Sequence, residues 1–227
     1  MILSRFCLLL SILTAAAISL PAAEVTYTSR AAFNAATTNQ TTLTFEGLVT
    51  SGSATHYTSP PGITTGGLNF QSSTDQLYAI DPSHGASFNF PSGQYLNNND
   101  YSGSSLLNVT LFPAGTTAIG ADFGLQTVQP ISQFTLTLTL SNSDVVQMVL
   151  PCSPSTPVLS FFGFTSDVPI TSMSINAAGI GSSGSAVIDN LSFGQAIPEP
   201  ATWILFSFGA VSAAAFHWRR HRLIAAR

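Results

Sequence analysis

Residues 134–140 read Phe-Thr-Leu-Thr-Leu-Thr-Leu. An apolar side chain at every second position, with a hydroxyl between, suits a β-strand that has one buried and one wet face. Leu107, Val109 and Leu111 repeat the pattern around Asn108 and Thr110. Val187, Asp189, Leu191 and Phe193 alternate with Ile188, Asn190 and Ser192. Shorter β-rich stretches fall at 41–46, 67–71, 76–80, 86–90, 117–124, 145–150, 158–163 and 170–175. Turn-forming clusters separate them, among them Ser59-Pro60-Pro61-Gly62, Asn97-Asn98-Asn99-Asp100 and Pro113-Ala114-Gly115. Helical signal in the body is confined to residues 29–36, where Ser29 caps an alanine-rich turn. Many short strands with regular turns predict a mainly β fold. The expected architecture is an antiparallel, jelly-roll-like β-sandwich with one short N-terminal helix. Each sheet should keep a wet face rich in Thr and Ser.

The two ends do not belong to that pattern. Met1 to about Ala23 has a charged start at Arg5, an apolar stretch from Phe6 to Leu20, and small residues at Ala22 and Ala23. This is the layout of a secretory signal peptide. At the other end, Pro198-Glu199-Pro200 precedes an apolar run, Ala201–Trp218, free of Asp, Glu, Lys and Arg. As a helix at about 1.5 Å per residue the run is roughly 27 Å long, close to the ~30 Å bilayer core. Arg219, Arg220 and Arg222 follow it, so the positive-inside rule predicts a transmembrane helix with a cytoplasmic C-terminus. Pro198 and Pro200 favour extended backbone and present Glu199 on a stretched segment. The chain therefore divides into a signal peptide (1–23), an exported domain (24–195) and a C-terminal tail (196–227).

The exported domain carries nine acids and one base, Arg30, a charge of about −8 against −4 for the whole chain. Binding to a phosphate backbone needs the opposite sign, so nucleic acid is excluded as a partner. Cys152 is the lone cysteine of the exported part, which rules out a disulfide within it and a cysteine zinc site.

The order Pro-Glu-Pro, apolar helix, arginines resembles the PEP-CTERM sorting signal. That resemblance implies recognition of Pro198, Glu199 and Pro200 by an exosortase-like membrane enzyme, with Arg219, Arg220 and Arg222 as the membrane stop. It also implies export to the cell surface or to an exopolysaccharide matrix. The body is similar to a recurring domain of such anchored proteins in four places. These are Tyr27–Phe33 leading to Thr44–Leu48, Phe112–Gly120, Phe161–Ile170 and Ile188–Gly194. The resemblance implies a jelly-roll sandwich and no defined chemistry.

Signals for a reaction centre are sparse. The body has two histidines, His56 and His84, in loop-like stretches, and no Gly-x-Ser-x-Gly elbow. No catalytic residue is expected, and no cofactor beyond a candidate calcium ion. Period two places Asp189 on the face of Val187, Leu191 and Phe193. A carboxylate there needs either backbone N–H partners or a hard cation shared with Glu46 on an early strand. Tyr95 and Tyr101, in Asn- and Ser-rich stretches, are candidate contacts for sugar rings. The expectation is a non-enzymatic surface or matrix protein; the alternative is a carbohydrate-binding module for exopolysaccharide.

Overall fold

The computed structural model describes residues 24–84, 90, 93–99, 105–127, 133–151, 158–177 and 184–197. The expected signal peptide, most of the tail, Tyr101 and Cys152 lie outside these residues. Two antiparallel sheets face each other. Sheet A runs β1 (Val25–Tyr27), β12 (Ser160–Thr165), β9 (Ala118–Thr127), β14 (Gly184–Ala196), β7 (Tyr95–Asn97), β6 (Leu77–Ile80), β3 (Ala54–Tyr57), and β2 (Thr37–Leu43) also pairs with β14. Sheet B runs β11 (Val145–Pro151), β10 (Gln133–Leu140), β13 (Ile170–Asn176), β8 (Leu106–Thr110), β5 (Leu68–Ser72), β4 (Ile63–Thr65). The expected β-sandwich is present.

The alternation of residues 134–140 does what its chemistry dictates. Phe134, Leu136, Leu138 and Leu140 are buried against the facing sheet, while Thr135, Thr137 and Thr139 stay half-exposed. Leu107 and Val109, Met173 and Ile175, and Leu68 and Phe70 extend the same inner layer across sheet B. Ile119, Ala121, Phe123, Ile188, Leu191 and Phe193 meet it from sheet A.

Strand β14 departs from simple alternation, and so from the expected placement of Asp189. Val187 joins a small apolar cluster with Ile80, Phe90 and Tyr95, apart from the main core that takes Ile188, Leu191 and Phe193. The register slips between Asp189 and Ser192, where Asn190 and Leu191 together oppose Ala121. Asn190 has φ 47°, in the left-handed region. A β-bulge of this kind inserts one residue and reverses the parity of everything beyond it. Asp189 therefore shares the outer face of sheet A with Val187, not the inner face of Leu191 and Phe193. Its burial comes from what covers that outer face.

One cover is α1 (Arg30–Ala35). Ser29 caps it, accepting a hydrogen bond from Ala32 N at 3.4 Å. Phe33 is the buried residue of α1. It lies over Gly120 and Gly163, which face each other across β9 and β12. A Cβ on Gly163 would come within 2.6 Å of Phe33 Cδ2, so the ring occupies space that only glycine leaves. Tyr27 and Phe161 close around it at centroid distances of 5.8 and 5.6 Å.

Other expectations shift. The stretch expected as a strand at 41–46 is β2, which ends at Leu43. Phe45 then takes φ 59°, and Glu46 lies exposed in a turn rather than on a strand. The strand expected at 86–90 falls outside the described residues except Phe90, which is not in a strand. Strands β3, β4 and β7, of three or four residues each, have no counterpart among the expected segments.

Candidate functional site

Arg30, the base of the exported part, organises the densest polar cluster on the outer face of sheet A. Its Nη2 lies 2.9 Å from Asp122 Oδ1 and donates to Asn190 O at 3.2 Å; its Nη1 donates to Ser192 Oγ at 3.1 Å. The guanidinium also sits 4.5 Å from the centroid of the Phe161 ring. Three chain segments, around residues 30, 122 and 190, are joined by one side chain.

Asp122 and Asp189 are direct cross-strand partners. Like charges in that relation repel. The bulge supplies the remedy, because Asn190 turns its amide toward both. Asn190 Nδ2 donates to Asp122 Oδ2 at 2.9 Å and to Asp189 Oδ2 at 3.1 Å, and Asn190 N donates to Asp189 Oδ1 at 2.6 Å. Ser192 Oγ, within 2.8 Å of Thr42 Oγ1, extends the network to β2. Asp189 is fully buried. The cluster is a clamp that fastens α1 to the sheet rather than an open pair of acids.

The other expected contacts separate. Glu46 Oε1 accepts from Gln94 N at 3.1 Å, while Asp189 Oδ1 takes the Asn190 N–H. The two carboxylates serve different backbone donors. No group of three His, Cys, Asp or Glu able to hold a metal occurs among the described residues. Tyr95 is completely buried, its ring against Phe90 at 5.2 Å. It cannot stack on a sugar, which corrects its expected role as a sugar contact. Tyr78 remains half-exposed beside the exposed His56, at 4.9 Å between ring centroids.

Neither histidine is set up as a base for a serine. His56 Nε2 meets Asp75 O at 3.0 Å and Asp75 Oδ1 at 3.5 Å. The neighbouring Ser59 donates its hydroxyl to Ser72 O at 2.8 Å, away from His56. His84 Nδ1 lies 3.0 Å from Gly52 O. Asp81, beside it, accepts from the Ser83 hydroxyl and from the N–H groups of Gly52 and Ser83. These bonds, the Ser83 hydroxyl first, hold its carboxyl below the usual 3.8. A cleft of about 360 Å³ opens where β11 and β12 diverge, lined by Thr28, Phe134, Leu150, Pro151, Ser160, Phe161 and Phe162. Among the described residues that line it, none carries a titratable side chain.

The outer face of sheet B has another character. One cross-strand row reads Gln147, Thr137, Ser174, Asn108, Gln71. The next reads Val145, Thr139, Ser172, Thr110, Asn69, Thr64. Neither row holds a charge, although the domain around them is strongly acidic.

Strand β14 is the last of the body and passes directly into the tail. It lies between β9 on one side and β7 and β2 on the other. Ala196, its final residue, donates its N–H to Thr117 Oγ1 at 2.8 Å, and Ile197 is already 48% exposed. Pro198 is two residues beyond the sheet. Among the described residues no helix is long and apolar enough to cross a membrane; residues 201–218 lie outside them.

The exported part is thus a mainly β sandwich whose final strand leads into a C-terminal signal. Residues 196–222 match the PEP-CTERM protein-sorting motif, and the chain carries that motif at its C-terminus. No curated protein matches the chain. Among solved structures it is similar to a variant of the family 29 carbohydrate-binding module CBM29-2. That match has 9% identity, 70% of this chain and 93% of that one covered, and a TM-score of 0.41. A CBM29-2 variant complexed with cellulohexaose matches at 9% identity, covering 63% and 92%, with a TM-score of 0.39. TmCBM61 in complex with β-1,4-galactotriose matches at 10% identity, covering 62% and 99%, with a TM-score of 0.34. Those sugars are ligands of those modules.

Proposed function

We propose that the chain is a non-enzymatic display protein. A signal peptide exports the sandwich, the apolar tail holds it in the inner membrane, and an exosortase-like enzyme acts near Pro198-Glu199-Pro200. The mature domain then serves at the cell surface or in the exopolysaccharide matrix as a structural or adhesive component. The sorting motif at 196–222 supports this reading most strongly.

The close junction between sheet and motif bears on how the signal is read. With Pro198 two residue steps beyond Ala196, the enzyme must work within roughly 7 Å of chain from a paired strand. Proline favours extended backbone, the form in which an enzyme reads a strand-like substrate. Replacing Pro198, Glu199 and Pro200 together by alanine should leave the protein at full length in the membrane fraction, with the mature form lost. Immunoblotting of fractionated cells reads this, and normal processing of the triple variant would refute the sorting role.

A second reading has its own observation. The two uncharged hydroxyl and amide rows on sheet B suit a neutral polysaccharide, which offers hydroxyls and no charge to be matched. Retardation of the protein in gels containing an uncharged exopolysaccharide would favour it; unchanged mobility would remove it.

A further inference from the structure

The outward backbone edge of strand β11 is the feature that neither delivery nor sugar binding uses. A sheet edge offers unpaired N–H and C=O groups to any passing strand, and proteins normally blunt such edges. The other edges here are blunted. Strands β1 and β4 have three residues and β3 has four. Strand β2 has seven, but its register slips against β14 and Asn39 takes φ 52°. Strand β11 also has seven residues, Val-Val-Gln-Met-Val-Leu-Pro, and pairs with β10 in unbroken register. It carries no charge, and Val145 and Val149 are 57% and 60% exposed.

The hairpin fixes which backbone groups face outward. Leu140 N donates to Asp144 O at 2.9 Å. By alternation along an antiparallel ladder, Val146, Met148 and Leu150 then turn their backbone groups toward β10. Val145, Gln147 and Val149 turn theirs to the other edge, which no strand among the described residues pairs with. The same three residues line the outer face of the sheet, and they read Val-Gln-Val, the same from either end. A two-fold axis through Gln147 would set Gln147 against its own copy and Val145 against Val149 of the copy, using every outward donor and acceptor of the three. Pro151, which lacks an N–H, falls outside this register.

We infer that β11 is a homotypic docking edge: two copies of this chain pair antiparallel through Val145–Val149 and join their six-stranded sheets into one. Charge selects this occupant. Two bodies of about −8 repel each other wherever acids meet, and this edge lets them touch with no charge at the seam. A single strand pair buries well under the ~1,200 Å² of a standard interface, so the contact belongs to the weak, reversible class.

The test uses the full chain in detergent, with Cys7 and Cys152 replaced by serine. Gln147→Cys sets two thiols face to face at about 5.5 Å between Cα atoms, within disulfide range. Under mild oxidation it should give about tenfold more covalent dimer than Thr64→Cys on the opposite edge, a ratio that corresponds to roughly 1.4 kcal/mol of pairing. Adding Val149→Lys should abolish that excess, and adding Val145→Glu as well should restore it, because residues 145 and 149 meet only across the axis. Equal yields from Gln147→Cys and Thr64→Cys would overturn the inference. So would a yield that Val149→Lys leaves unchanged, or a Val145→Glu, Val149→Lys pair that stays monomeric.

Discussion

Phe33→Ala is expected to destabilise the domain by about 3–5 kcal/mol, the usual cost of emptying a buried phenylalanine site. A domain of this kind has about 5–15 kcal/mol in hand, so roughly a fifth or more of its stability goes. The melting temperature should fall by roughly 10 °C. The cause is local and structural. Phe33 is 0% exposed and is seated where Gly120 and Gly163 leave room between Tyr27 and Phe161. The glycines make the prediction specific. Gly163→Ala should itself be costly, because its new methyl would meet the Phe33 ring. In the Phe33→Ala background the same change should cost clearly less, the remaining close neighbour of the methyl being Phe161 Cζ at 3.2 Å. A double-mutant cycle by urea unfolding measures this coupling, and strict additivity of the two changes would show that the ring is not seated there.

Arg30→Met should cost about 2 kcal/mol. The side chain makes one ion pair and two charge-assisted hydrogen bonds, each partly screened because Arg30 and Asp122 remain 32% and 19% exposed. Methionine keeps an apolar stem and removes the guanidinium, with its charge, its N–H donors and its contact over Phe161. Losing it leaves Asp122 and Asp189 as facing carboxylates bridged by the Asn190 amide. Asp122→Asn in the same protein should therefore return part of the loss, because it removes the repulsion. Urea unfolding at low and high salt reads both effects. A double variant less stable than Arg30→Met would contradict the clamp.

Much of the fold could be read from residue order, and the reasons differ by element. In β10 each residue meets the environment its own polarity calls for, so alternation and burial coincide. The Ser29 cap and its helix are local, and local chemistry is what a sequence states most plainly. The parity of β14 was hidden because a left-handed Asn190 leaves no mark in a hydropathy pattern; an Asn amid an alternating run is the faint sign of it. Strands β3, β4 and β7 are too short to show a period. Tyr95 looked exposed among polar neighbours because its cover, Phe90, depends on how the chain folds back.

The Arg30 clamp went unseen because its members lie as much as 162 residues apart. One signal pointed to it. A lone base among nine acids has carboxylates to choose from, and the sheet register decides which one it meets. Glu46 and Asp189 show the same dependence on tertiary register: the turn at Phe45 brings Glu46 to Gln94, and the bulge sets Asp189 beside Asn190. The sorting tail was the most legible part of the chain, because a membrane and a short linear motif read sequence directly.

The claim on which the rest turns is that the sandwich stands outside the inner membrane while the arginine end of its tail remains within. The most direct measurement is protease digestion of intact spheroplasts expressing the full chain with an epitope after Arg227. Cleavage of the sandwich, with a small tagged tail fragment left protected until the membrane is lysed, is the predicted pattern. A sandwich that survives alongside its tag until lysis would contradict it.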